Sequence, residues 1–91
     1  MKDFERINKT IFNWDGTFEA LANHFTSADY YTILEEANFN EDYYECYVEL
    51  YKTGVWAECL MLYLEYLLKE CIEMRVKHRT DNIFRIWYEN L

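Results

Sequence analysis

The stretch of sequence that decides the fold is residues 55–79, which read VWAECLMLYLEYLLKECIEMRVKHR. The first half of this stretch is apolar almost all round a helix, which is typical of a helix that is covered on several sides. The second half regains a polar face at the i, i+4 spacing of a helix, at Glu65, Lys69, Glu73 and Lys77. We therefore predict one long central helix over residues 55–79. Its predicted core side chains are Trp56, Leu60, Tyr63 and Leu67.

Shorter apolar stripes at helical spacing precede and follow this stretch. The first contains Phe4, Ile7, Ile11 and Trp14, and we expect Asp3 to cap its N-terminus. Further helices are predicted to begin near Thr17, at Ser27 and after Asn40, and Gly54 has the position of a helix terminator. A final helix is predicted to begin at Thr80 or Asp81.

Turn-forming residues are too few for a β fold, since the chain contains two glycines and no proline. With 91 residues, 52% of them hydrophobic and 20% aromatic, the chain has room and material for one core. We predict a single all-α domain, residues 1–91, in which four to six helices pack as a compact bundle around the long central helix.

The sequence favours a cytoplasmic location. The apolar segment 55–68 contains Glu58 and Glu65, and it is shorter than the ~20 residues that a membrane-spanning helix needs. The cysteines are odd in number, and none lies at the CxxC spacing. We expect Cys46, Cys59 and Cys71 to be reduced thiols that act as small core residues.

No pattern in the sequence indicates catalysis. The two histidines, His24 and His78, are far apart in the chain, and neither has a His or Cys three or four residues away. The isolated glycines cannot form a phosphate-binding loop. We predict no catalytic residue, no metal site and no cofactor, and therefore a protein that is not an enzyme.

The charge is distributed unevenly along the chain. Residues 1–60 contain twelve acidic and four basic residues, whereas residues 61–91 contain five of each, so the first part accounts for the whole net charge of −8. No Lys or Arg lies between Lys9 and Lys52. A helix pair there, although similar in length to a helix-turn-helix, would be repelled by phosphates, so we expect no direct nucleic-acid binding.

Acidic residues and tyrosines of this region are the candidate partner-binding residues. Glu41, Glu45 and Glu49 follow one another at the i, i+4 spacing of one helix face. We expect Tyr31 and Tyr43 to be exposed beside the carboxylates, and Tyr44, Tyr47 and Tyr51 to point inward. The predicted site residues are Asp29, Glu35, Glu36, Glu41, Asp42, Glu45, Glu49, Tyr31 and Tyr43.

In size and charge the chain resembles the small acidic inhibitors of phages and mobile elements, the anti-CRISPR and anti-restriction proteins. That resemblance implies an inhibitor that presents carboxylates in place of phosphates to a basic, nucleic-acid-binding surface of a partner protein. Two alternatives stay open. The acidic residues can serve solubility alone, or the chain can be an assembly module or antitoxin-like partner that forms a homodimer through apolar helix faces.

Overall fold

The computed structural model describes residues 2–37 and 39–90. Within these ranges the chain forms six α-helices and no strand, which confirms the predicted all-α bundle. The helices are α1 (Lys2–Phe12), α2 (Phe18–His24), α3 (Ser27–Glu36), α4 (Glu41–Thr53), α5 (Trp56–Glu73) and α6 (Lys77–Tyr88).

The central element is α5, which packs against α2, α3, α4 and α6. Leu60, Tyr63 and Leu64 are completely buried, and Leu67 is nearly so. Trp56, which we also expected in the core, is only half-buried. Its ring stacks on Tyr30 of α3 with the ring centroids 5.1 Å apart.

Polar caps start three of the helices. The Thr17 hydroxyl accepts a hydrogen bond from the amide of Ala20, and the Asn40 side chain accepts one from the amide of Tyr43, as the sequence predicted. At α3 the capping residue is Thr26, and the helix begins at Ser27 as predicted. Gly54 ends α4 with φ 72°, a left-handed conformation that glycine adopts without steric strain.

The first helix differs from the prediction at both ends. Asp3 lies inside α1, in its first turn, and does not cap it. Trp14 lies beyond the end of the helix, where its indole nitrogen donates to the carbonyl oxygen of Thr17. Ile7 and Ile11 are fully buried as expected.

The predicted single helix over 55–79 is wrong, because a turn at residues 74–76 divides it into α5 and α6. Arg75 has a φ of 58°. The amide of Val76 donates to the carbonyl oxygen of Cys71, and the amide of Arg75 donates to that of Ile72. These two bonds form a Schellman motif, which ends a helix at a left-handed residue. The last helix therefore begins at Lys77, before the predicted Thr80 or Asp81.

Three completely buried tyrosines have hydrogen bonds for their phenol groups. The Tyr30 hydroxyl donates to the carbonyl oxygen of Ala22, and the Tyr47 hydroxyl donates to that of Tyr30. The Tyr63 hydroxyl donates to the side-chain oxygen of Asn8 on α1. Burial raises the pKa of all three phenols above the ordinary value, so they stay protonated donors.

The left-handed turn generates a stability prediction. A non-glycine residue in this conformation costs roughly 1–2 kcal/mol, and glycine avoids this cost. Glycine also loses more conformational entropy on folding, which cancels part of the gain. Arg75→Gly should therefore raise the free energy of unfolding in a urea titration by about 0.5–1 kcal/mol. Lys69→Gly, at an exposed position inside α5, is the control and should lower it by about 1 kcal/mol. Equal destabilisation by both variants would contradict a left-handed Arg75.

Candidate protein-interaction surface

The inner face of α4 packs against the core, and its acidic residues lie on the outer face. Tyr47 is fully buried, and Leu50 and Tyr51 are half-buried against the other helices. The opposite side of the helix then faces solvent. The exposed carboxylates on this side belong to Glu41, Asp42, Glu45 and Glu49.

Two further predicted residues, Glu35 and Glu36, are exposed at the C-terminal end of α3. In the connection from α3 to α4, Ala37 and Phe39 are buried. The two acids stand where the helix dipole disfavours negative charge, and the last turn of α3 contains no basic residue. We call the six carboxylates of Glu35, Glu36, Glu41, Asp42, Glu45 and Glu49 the acidic surface.

The acidic surface has no basic partner among the residues that the structure describes. The ion pairs found among the described residues join Arg6 to Asp29 and Arg85 to Glu89. Neither pair includes a member of the acidic surface. Within the described part of the chain, screening of these negative charges therefore comes from solvent and ions.

Asp29, the seventh predicted acid, does not belong to this surface. Its side chain is largely buried, where it accepts a hydrogen bond from the amide of Thr26 and forms an ion pair with Arg6 of α1. Together with Thr26 it forms a capping box that starts α3. This engagement within the chain separates the carboxylate of Asp29 from the exposed acidic surface.

The tyrosines divide differently from the expectation. Tyr31 is 45% exposed, as expected, but Tyr43 is half-buried near Tyr66. Tyr44, which we expected to point inward, is 47% exposed. With Val48 and two members of the acidic surface, Glu45 and Glu49, it lines a shallow groove of about 360 Å³.

Sequence reasoning missed Tyr44 because neighbouring helical positions differ by about 100° in direction. Tyr44, Tyr47 and Tyr51 fit an inward stripe, but the helix turns so that Tyr47 alone is fully buried. Tyr43 takes the inward-leaning position that was expected of Tyr44. The sequence contains no local signal that distinguishes the two.

The groups considered for catalysis are dispersed. Cys46 is exposed, contrary to the expectation that it lies in the core, whereas Cys59 and Cys71 are buried. The ring of His24 contacts those of Trp14 and Phe25. Among the described residues, no three His, Cys, Asp or Glu side chains converge as metal ligands. In the same ranges no helix has the length and apolar character to cross a membrane.

Comparison with protein-family models, with curated proteins and with solved structures finds no match to this chain.

The cysteines generate a reactivity prediction. Burial, with a smaller contribution from Glu58, raises the pKa of the Cys59 thiol to about 11, and burial also raises the pKa of Cys71. Both thiols should therefore hold their protons at pH 8, and the thiolate is the reactive form. A disulfide reagent added to the folded protein should modify Cys46 rapidly and the other two only after denaturation. Mass spectrometry of the labelled peptides measures this, and rapid labelling of Cys59 would contradict it.

Proposed function

We propose that this chain is a non-enzymatic, acidic inhibitor that occupies a basic, nucleic-acid-binding surface of a partner protein, as DNA-mimicking anti-CRISPR and anti-restriction proteins do. One observation carries the proposal. Six carboxylates are exposed on α4 and the adjoining end of α3, without a basic partner in the described part of the chain. Such a surface is complementary to one that normally binds phosphates.

The charge spacing on α4 supports a nucleic-acid-like surface. Residues 41–49 span about 12 Å of helix axis and contain four of the six carboxylates. This is about one negative charge per 3–4 Å, compared with about one per 3.4 Å along a single strand of B-DNA. A basic groove that binds a phosphate backbone would therefore meet a similar linear charge density on α4.

The energetic cost of this arrangement also supports a binding role. Like charges at the i, i+4 spacing destabilise a helix by roughly 0.2–0.5 kcal/mol per pair. Glu41 with Glu45, and Glu45 with Glu49, are two such pairs. A lysine in place of Glu45 would turn both into attractive pairs, so folding alone gives no reason for an acid at this position.

The exposed tyrosines supply contact area beside the charges. Tyr44 lines the groove that contains Glu45 and Glu49, and Tyr31 contacts the ring of Tyr51 at a centroid distance of 5.7 Å. A phenol ring offers a flat face to an arginine side chain and a hydroxyl for hydrogen bonds. A partner surface rich in arginine would find both a stacking face and a carboxylate at this groove.

A second candidate function is self-association. We expected the apolar segment 55–68 to provide the contact, but the bundle buries or half-buries most of it. The exposed aromatic pair lies instead on α6, where Phe84 and Tyr88 are 46% and 62% exposed and stack with centroids 5.7 Å apart. A homodimer would use this face. Solution mass measurement of the natural chain and of Phe84→Ala tests it.

Charge reversal tests the inhibitor proposal. The natural chain and the Glu45→Lys/Glu49→Lys variant are immobilised and exposed to a bacterial lysate at low and high salt. The natural chain should retain nucleic-acid-binding proteins at low salt. High salt should release them because exposed charges are then screened. Added duplex DNA or RNA should also release them by competition. The variant should retain none of them.

The matched control is Glu19→Lys/Glu58→Lys, which makes the same change in net charge at exposed positions outside the acidic surface. This control should retain the same proteins as the natural chain. Circular dichroism shows whether each variant is folded. Retention of the same proteins by the Glu45→Lys/Glu49→Lys variant would mean that the acidic surface is only a solvated face.

A further inference from the structure

A groove of about 530 Å³ lies between α1 and the beginning of α6. This volume falls within the range of sites that bind small molecules. The groove lies on helices other than α3 and α4, which carry the acidic surface. Its lining residues are Glu5, Asn8, Lys9, Phe12, Asn13 and Arg79.

Two positive charges line this groove in a protein whose net charge is −8. Lys9 and Arg79 are both exposed, and neither forms an ion pair within the described residues. Arg6 and Arg85, by contrast, are engaged by carboxylates of their own chain. Two cations from different helices, neither in an ion pair with a described residue, therefore line one groove together with the carboxylate of Glu5.

The Arg79 side chain is held in place by Phe12. Its guanidinium carbon lies 4.6 Å from the centre of the Phe12 ring, a cation–π contact. A cation–π contact uses the face of the guanidinium, so its N–H donors can still reach a ligand. The planar fork of arginine matches the oxygens of a phosphate.

Neutral donors of the groove complement the two cations. The side-chain oxygen of Asn8 accepts the hydrogen bond from Tyr63, which orients the amide and leaves its N–H groups without a partner among the described residues.

We propose that this groove binds the phosphate group of a small molecule. Lys9 and Arg79 hold the phosphate oxygens, and Asn8 donates a further hydrogen bond. A phosphate monoester carries a charge of about −1.5 to −2 at neutral pH and has oxygens enough to contact Lys9 and Arg79 together, whereas the carboxylate of Glu5 lowers the formal charge of the lining to +1. Glu5 on the lining adds a repulsion that a small ligand avoids more readily than an extended polyphosphate chain does.

Nuclear magnetic resonance titration with inorganic phosphate tests this site, with sodium chloride at equal ionic strength as the reference. Phosphate should produce saturable shifts of the Asn8 side-chain amide and of the backbone amides of Lys9 and Arg79. Chloride should not. Shifts that follow ionic strength alone would overturn the proposal.

Substitutions locate the phosphate. Lys9→Gln and Arg79→Gln should each weaken binding about tenfold, since each removes a charge-assisted hydrogen bond. Lys9 is exposed and outside the core, so Lys9→Gln tests the site even if Arg79→Gln disturbs the packing on Phe12. Glu5→Gln should tighten binding because it removes a like charge.

Lys52→Gln on α4 is the matched control, with the same change in net charge at an exposed position outside the groove. Its affinity for phosphate should equal that of the natural chain. Unchanged affinity in Lys9→Gln or in Glu5→Gln would overturn the assignment of the phosphate to this groove.

Discussion

Burial of α5 on several sides is the constraint on which the rest of the structure depends. Helices α2, α3, α4 and α6 pack along it, and α1 contacts it through Phe4 and Asn8, so each turns apolar side chains toward it. For α4 the apolar stripe centres on Tyr47, whose buried ring and hydrogen bond to Tyr30 orient the helix together with the half-buried Leu50 and Tyr51. The opposite side of the helix therefore faces solvent, and it carries Glu41, Glu45 and Glu49.

Much of this architecture is predictable because it rests on local chemistry. A helix cap interacts only with residues close to it in the chain. The helix ends at Thr17, Asn40 and Gly54 can therefore be predicted from the sequence. The break after Glu73 cannot, since Arg75 adopts a left-handed conformation without the glycine or asparagine that would indicate it. The predicted i, i+4 polar face continued across this point and concealed the turn.

The candidate site was predictable in outline and not in detail. The absence of basic residues between Lys9 and Lys52 is sufficient to predict an acidic surface. Asp29 is not part of that surface because it pairs with Arg6, 23 positions earlier in the chain. This contact depends on how α1 packs against α3, which the sequence does not indicate. Tyr43 and Tyr44 exchange their expected places because a rotation of α4 by one residue decides which ring faces inward.

We propose that the acidic surface and a nucleic acid occupy the same place on a partner protein. Fluorescence anisotropy of a labelled duplex, bound to the partner that the acidic surface retains, measures this directly. We predict that the natural chain displaces the duplex in proportion to its own binding, and that the Glu45→Lys/Glu49→Lys variant leaves the duplex bound. A ternary complex that holds the duplex and this chain together would contradict the claim.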